Sequence, residues 1–153
     1  MGRETVLRTI LTATLVAGTL DIISAFVFAG MAGVTPMGVL LFVASGPFGD
    51  GVLDNPAFAA VGLLVHYAIM TCMAAVFVVA ASRLPILTKQ PVVSGVLYGL
   101  ALWFVMYWIV RPMRWENIHP PTGAWPITNQ LISHLLLVGI PIALIAARRF
   151  RRA

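Results

Sequence analysis

The sequence predicts an all-α integral membrane protein, a four-helix bundle with a short extra helix between the first and second spans. Apolar residues make up 60% of the 153-residue chain and charged residues only 10%, whereas a soluble domain carries about 25% charged residues. Four apolar runs are long enough to cross a hydrocarbon core about 30 Å thick at about 1.5 Å per helical residue. Residues 1–153 are therefore expected to form a single transmembrane domain.

The first span is predicted at residues 6–29. Thr14, Gly18, Asp21 and Ser24 recur there at spacings of three or four residues, which places small and polar side chains on one helix face. Such a face normally contacts other helices rather than lipid. Because Asp21 interrupts the apolar run, we expect an uncleaved span rather than a signal peptide, whose apolar core is about 7–15 residues long.

A short helix is predicted at residues 36–45. Thr35 is suited to cap this helix, and Pro36 suits its first position. The apolar run then stops at the sequence Ser45-Gly46-Pro47. Crossing a membrane takes about 20 residues, so this helix is expected to be interfacial or re-entrant.

Prolines mark the boundaries of the later spans. These spans are predicted at residues 56–82, 91–110 and 129–147. The second begins at Asn55-Pro56, and the third stops before Pro112. Gly95 and Gly99 form a G-x-x-x-G pattern in the third span, which predicts close packing against a neighbouring helix.

The positive residues predict the orientation. Most of them flank the ends of spans that meet on one side of the membrane, namely Arg3, Arg8, Arg83, Lys89 and the basic cluster of residues 148–152. That side is expected to be cytoplasmic, with both termini inside. Arg111 and Arg114 fall on the other side and violate the pattern.

The net charge of +5 does not indicate a nucleic-acid partner, because the arginines sit at the ends of apolar runs rather than in a basic patch. The expected partner is the lipid bilayer, with a homo-oligomer or a larger membrane complex as a further possibility. Cys72 is the single cysteine, which excludes an internal disulfide and a C-x-x-C motif.

Three ionisable residues in predicted spans are expected at a similar depth. Counted from the ends of their helices, Asp21, His66 and His134 lie roughly 8–15 Å below the outer surface. Ionisable residues in a membrane are costly and normally face the bundle interior. We therefore predict a polar site in the outer leaflet, which could also include Ser24, Tyr67, Gln130 and Ser133.

This site has more than one interpretation. An Asp–His pair could simply fasten helices together. It could instead handle protons or ions, with Asp21 as acceptor and the two histidines as titrating groups.

Ligation of a metal or a b-type haem is a further interpretation. His66 and His134 could be axial ligands of a haem, with Gly18, Gly62, Gly95 and Gly99 making room for the ring. A soft metal could use His66, His134 and Met70, although Met at helical spacing is usually packing material. His119 is expected to be a solvated loop residue.

No enzyme motif is found. The sequence lacks G-x-S-x-G, H-E-x-x-H and a Gly-rich phosphate loop, so no catalytic residue is predicted and an enzyme is not the favoured reading. Asp50 and Asp54 are expected to belong to a turn rather than a cation site.

Several stretches combine small, polar and apolar residues in a distinctive order. They are Gly18–Asp21, Ala44–Gly46, Leu64–Tyr67, Ala81–Pro85, Gly95–Gly99 and Ser133–Leu144. Together they resemble a set of small uncharacterised bacterial four-helix inner-membrane proteins. From His66 onward the chain is also distantly similar to YagU-type proteins, in which a glycine stands where this chain has Ser133. The resemblance implies a bacterial plasma membrane and a four-helix bundle, includes Asp21, Ser45, His66 and His134 in its motifs, and implies no activity.

Three functions are therefore expected to compete. The first is a small inner-membrane protein whose polar site binds a proton, an ion or a small polar ligand. The second is a non-catalytic accessory or assembly subunit of a membrane complex. The third is a bis-histidine carrier of b-type haem.

Overall fold

The computed structural model describes residues 2–151, and every regular element within them is helical. The helices are α1 (Arg3–Met31), α2 (Pro36–Phe48), α3 (Phe58–Arg83), α4 (Ile86–Lys89), α5 (Pro91–Arg114) and α6 (Ala124–Phe150). A 3-10 turn at Asp50–Val52 joins α2 to α3. The predicted all-α bundle of four long helices with a short extra helix is confirmed. Arg152 of the predicted basic cluster lies outside the described residues.

Four helices, α1, α3, α5 and α6, are long and apolar enough to cross a membrane. The chain is thus a multi-pass membrane protein. Leu7, Leu11 and Leu15 recur every four residues on one face of α1 and are 52%, 60% and 61% exposed. This face has no helix against it among the described residues, as expected of a surface that contacts lipid.

The bundle has two distinct ends. Loops 49–57 and 115–123 lie at one end, called here the loop end. The start of α1, the end of α6 and the connection between α3 and α5 lie at the other, called the terminal end, where Arg151 donates to the backbone carbonyls of Thr88 and Lys89. An even number of spans requires this arrangement, although it does not decide which end is cytoplasmic.

α6 is central, since it packs against α1, α3 and α5. Its core contacts lie in the terminal half and use small side chains. Ala13, Ala74, Ala143 and Ala146 are fully buried there beside Ile142. Small residues let helix backbones approach closely, and this contact replaces the hydrophobic effect as the source of stability in lipid.

The G-x-x-x-G pattern of α5 lies directly against α6. A Cβ atom on Gly95 would be 2.6 Å from the Cα atom of Ile140, and one on Gly99 would be 2.8 Å from the Cα atom of Leu135. Gly139 completes the contact from α6, where its own Cβ would meet the backbone of Gly95 and Gly99. These glycines join two helices of one chain.

α5 and α6 are longer than predicted, because α5 continues through Pro112 and α6 begins at Ala124. Each contains a π-helical segment, Val105–Val110 in α5 and Ile132–Gly139 in α6, that ends two residues before a proline. The proline lacks an N–H and its ring crowds the carbonyl four residues earlier. The wider π turn relieves that crowding. The helix therefore switches locally to hydrogen bonds with the carbonyl five residues earlier and continues past the proline.

α2 begins as predicted, with Thr35 accepting a hydrogen bond from the Gly38 N–H at 3.1 Å. It runs to Phe48 rather than stopping at Ser45, and Gly49 ends it with a φ of +85°. Arg114 makes the extra turn possible, because its guanidinium donates to the carbonyl oxygens of Ser45 at 2.6 Å and Gly46 at 2.7 Å. The Gly49 N–H also donates to the Ser45 carbonyl at 2.9 Å, whereas the Gly46 carbonyl is at the end of the helix and has Arg114 as its donor.

α2 lies across α3 at Gly62. A Cβ atom there would overlap the Leu40 carbonyl, with its carbonyl carbon only 2.7 Å away. Stacking of Phe42 on Trp115, with 4.4 Å between ring centroids, holds the other side of α2. The short helix is therefore packed against α3 and Trp115 in the half of the bundle nearest the loop end.

Candidate functional site

Polar side chains gather in the loop half of the bundle, on both sides of α1. The His66 cluster consists of Gly18 and Thr19 on α1 with His66 and Tyr67 on α3. The Asp21 cluster consists of Asp21 on α1, Tyr107 and Arg111 on α5, and His134 on α6.

The His66 side chain forms a hydrogen bond with the backbone of α1. Its Nε2 lies 2.9 Å from the Gly18 carbonyl oxygen, and the side chain is 7% exposed. Since a carbonyl only accepts, Nε2 must carry the proton in this contact. The adjacent Tyr67 hydroxyl lies 2.8 Å from Thr19 Oγ1. The His66 cluster therefore links α1 and α3 through two hydrogen bonds.

His134 is buried against α5. It is 8% exposed, its Nδ1 lies 3.0 Å from the Gln130 carbonyl oxygen, and its ring stands edge-on to Tyr107 with 5.5 Å between centroids. Nδ1 donates to that carbonyl, so a neutral ring has its lone pair on Nε2. His134 therefore has one nitrogen available to take up a proton.

Asp21 is partly buried and faces the same space, within electrostatic range of both His134 and Tyr107. Within residues 2–151 its carboxylate makes neither a hydrogen bond nor an ion pair. An ionised carboxylate without a partner in an apolar helix is costly, and protonation removes that cost.

Arg111 completes the Asp21 cluster from the loop end. Its guanidinium lies over the Tyr107 ring at 5.0 Å and over the Phe42 ring at 5.7 Å. Its Nε is buried and has no hydrogen-bond partner in the described part of the chain. The stacking on two aromatic faces compensates part of the lost hydration, and the positive charge favours an anionic group nearby.

Two further contacts surround the clusters. Ser24 and Ser133 share a buried hydrogen bond of 2.5 Å between α1 and α6. The Gln130 side-chain oxygen accepts from Trp103 Nε1 at 3.1 Å. These bonds fasten α1 and α5 to α6 beside the Asp21 cluster, so they act as supports of the site.

The predicted residues are therefore distributed over two groups. Asp21 and His134 come together, with Ser24 and Gln130 beside them. His66 and Tyr67 lie on the other side of α1, and no hydrogen bond among residues 2–151 joins His66 to Asp21 or His134. Gly18, which His66 contacts, is only one helical turn from Asp21, so the two groups share a helix but not a contact.

A haem does not fit the described arrangement. The glycines expected to make room for the ring are filled by protein: Gly18 faces the Tyr67 ring, Gly62 faces Leu40, and Gly95 and Gly99 face α6. His66 also uses Nε2, the nitrogen that most often ligates, for the Gly18 carbonyl.

The metal candidates do not form a group of ligands in the described part of the chain. Met70 is 2% exposed in the apolar core. Within the described residues no three His, Cys, Asp or Glu side chains are grouped as metal ligands. His119 is exposed in loop 115–123 and Cys72 is exposed on α3.

Sequence reasoning missed Tyr107, Arg111 and Thr19. Arg111 did carry a detectable signal, because an arginine on the less positive side of a membrane protein needs a local reason. Tyr107 gave none, since an aromatic residue near a helix end is ordinary in a membrane span. Its role depends on α5 continuing past Val110, which brings Tyr107 and Arg111 onto one helix.

We compared the chain with protein-family models, with curated proteins and with solved structures, and none of them matches it. The geometry of the Asp21 cluster is therefore the basis for a functional proposal.

Proposed function

We propose that this membrane protein binds a proton at the Asp21 cluster. More broadly, the cluster is suited to bind a small ion or a small polar ligand. The observation that carries the proposal is the Asp21 carboxylate, which is partly buried on α1 and has neither a hydrogen-bond nor an ion-pair partner among residues 2–151. Such residues in membrane helices commonly belong to proton or ion pathways.

The neighbours of Asp21 support an exchangeable proton. His134 has a lone pair available on Nε2, and histidine is the side chain that changes charge most readily between about pH 5 and 8. Arg111 supplies a fixed positive charge on the far side of Tyr107. The negative charge of Asp21 can be neutralised by protonation of its own carboxylate or compensated by a positive charge on His134 or Arg111. The proton can therefore exchange between the carboxylate and the imidazole.

Infrared spectroscopy of the protein in lipid nanodiscs tests this proposal. A protonated carboxyl group has a C=O stretch that a carboxylate lacks, and we expect such a band in spectra recorded between about pH 5 and 8. The Asp21→Asn variant should lose the band, and His134→Gln should shift its frequency, because the group beside the carboxyl changes. Asp50→Asn is the matched control, because that side chain is 64% exposed. If no band depends on Asp21 anywhere in that pH range, the proposal is wrong.

We also propose a bacterial inner-membrane location with both termini in the cytoplasm. The terminal end carries Arg148, Arg149 and Arg151, and the connection beside it carries Arg83 and Lys89, which favours this orientation. The resemblance to bacterial inner-membrane proteins supports the same location. A C-terminal green fluorescent reporter should fluoresce, and a C-terminal alkaline phosphatase should be inactive. The reverse result would overturn the orientation.

An accessory subunit is the second candidate function. α5 is the least enclosed long helix, with 11% of its most apolar window buried, against 44% for α6. Lipid or a partner helix could cover it. Gentle extraction followed by native mass spectrometry should recover a heteromeric complex if this function is right, and a lone monomer if it is wrong.

A further inference from the structure

A second polar site lies at the terminal end, far from the Asp21 cluster. A pocket of about 210 Å³ opens between the start of α1 and the end of α6. It is lined by Thr9, Thr12, Ile145, Arg148 and Arg149. Its arginines belong to the last turn of α6, which places them at the level where a transmembrane helix meets the lipid headgroups.

The pocket presents guanidinium donors in one place. Arg148 and Arg149 are both exposed and take part in none of the hydrogen bonds or ion pairs of residues 2–151. The one acidic residue on the neighbouring part of α1, Glu4, is already paired with Arg8. Guanidinium groups bind phosphate oxygens in pairs, so these two arginines are suited to a phosphate group.

The threonines of the pocket offer hydrogen-bond acceptors to a ligand. The Thr9 hydroxyl donates to the Thr5 carbonyl at 2.7 Å, and the Thr12 hydroxyl donates to the Arg8 carbonyl at 2.8 Å. A hydroxyl that already donates still has lone pairs to accept with. Thr12 is exposed, so it can accept a hydrogen bond from a hydroxyl of the ligand next to the phosphate.

The apolar surroundings indicate that the ligand is a lipid. Ile145 contributes to the pocket and also packs on the apolar core. Leu15 and Val16 lie three and four residues beyond Thr12 on α1, one helical turn closer to the membrane interior, with 61% and 42% of their surface exposed. An acyl chain can lie against these two side chains while its headgroup occupies the pocket.

From this arrangement we propose that the pocket between Thr12 and the Arg148–Arg149 pair binds an anionic phospholipid with a hydroxylated headgroup, of the phosphatidylglycerol class. The guanidinium groups bind the phosphate, Thr12 accepts from the headgroup hydroxyl, and Leu15 and Val16 of α1 contact an acyl chain. Basic pockets between membrane helices are a common mode of such recognition. The proposal is independent of the proton site.

Native mass spectrometry of the full-length protein in detergent tests the proposal, with added phosphatidylglycerol as the probe. Two lysine or arginine contacts at a membrane surface are together worth about 30-fold in affinity. The R148Q/R149Q variant should therefore bind phosphatidylglycerol about 30-fold more weakly. The matched control is R83Q/K89Q, which removes two positive charges at the same end but outside the pocket, and it should bind as the parent protein does. Circular dichroism checks that both variants remain folded.

Thr12→Val separates headgroup recognition from charge. It should weaken binding of phosphatidylglycerol while leaving binding of phosphatidic acid, which has no headgroup hydroxyl, unchanged. Three results would overturn the proposal. Phosphatidylcholine could bind equally well, the two double variants could lose affinity equally, or inorganic phosphate at the lipid's concentration could displace it, which would make free phosphate the ligand.

Discussion

The ring of Tyr107 stands edge-on to the imidazole of His134, with 5.5 Å between the ring centroids. Both residues lie in π-helical segments, one on α5 and one on α6. In each segment the residue before a proline bonds to a carbonyl five positions earlier: Arg111 to Met106 and Ile140 to Leu135. The two prolines therefore determine the turns that bring these rings together. Isolated π turns are often found at functional sites.

Replacing Pro141 should test that cause. In Pro141→Ala the new N–H can bond to the Leu137 carbonyl, so the π segment should return to α-helical spacing and rotate His134 away from Tyr107. Nuclear Overhauser contacts between the two rings should weaken or vanish. Pro91→Ala is the control, because Pro91 occupies the first turn of α5 and displaces no helical bond. Unchanged ring contacts in Pro141→Ala would mean that packing, not proline, sets the π segment.

Gly99→Ala should destabilise the contact between α5 and α6. The added Cβ would be 2.8 Å from the Cα atom of Leu135 and 2.9 Å from the His134 carbonyl carbon, so a backbone must move. Overpacking of this kind costs about 1–3 kcal/mol. Unfolding in mixed detergent micelles measures the loss. Gly30→Ala has open space around it and should leave stability unchanged or slightly raised, since alanine is the better helix former. Equal effects of the two variants would contradict the packing argument.

Gly62→Ala should loosen α2. The new methyl group would lie where the Leu40 backbone crosses α3, and the backbone cannot rotate away as a side chain can. Amide hydrogen exchange across residues 36–48 should become faster while the four long helices keep their protection. Gly51→Ala, in the following turn and without neighbours within 4 Å, should not change it. If amide exchange of α2 in Gly62→Ala is as slow as in the parent protein, α2 and α3 can shift enough to accept the methyl group, and the argument from close packing is wrong.

Arg114→Gln should shorten α2 from its C-terminal end. The substitution removes the Arg114 donors to the Ser45 and Gly46 carbonyls. The Ser45 carbonyl keeps its bond from the Gly49 N–H, but the Gly46 carbonyl loses its donor, and an acceptor without a partner costs about 1–3 kcal/mol when buried. Arg114→Lys should recover only part of this loss, because one ammonium cannot reproduce the planar guanidinium. Asp50→Asn should cost under about 1 kcal/mol, because that ion pair is largely exposed. Thermal unfolding and exchange at residues 45–48 provide the measurement. A loss in Asp50→Asn as large as in Arg114→Gln would assign the effect to the ion pair.

Much of the fold followed from local patterns. The apolar runs predicted four spans, and Thr35-Pro36 predicted the start of α2 with its cap. The ends of helices at prolines were predicted less well, because proline 112 and proline 47 both lie inside helices. A proline removes one hydrogen bond, and whether the chain stops there depends on what else satisfies the freed groups. A local π turn accommodates Pro112, and the Arg114 guanidinium, from a distant part of the chain, binds the last turn of α2, which contains Pro47.

The candidate site shows the same division. Depth counting grouped Asp21 with His134, and in the structure Asp21 is ten residues from the end of α1 while His134 is ten residues from the start of α6. The same counting could not separate His66 from them, since depth is one coordinate and rotation about the helix axis is another. The axial rotation of α3 is determined by Gly62 against Leu40 and by Tyr67 against Gly18, which are contacts between residues far apart in the sequence.

The sequence by itself determined that lipid is the solvent, how many times the chain crosses it, and which ionisable residues the membrane makes costly. Those properties depend on composition and run length, which are local. Only the tertiary structure decided that His66 is satisfied by a backbone carbonyl while Asp21 stays without a described partner beside His134, Tyr107 and Arg111. That difference depends on which helix faces meet, and helix faces meet through shape, by glycine and alanine contacts and the turns before two prolines.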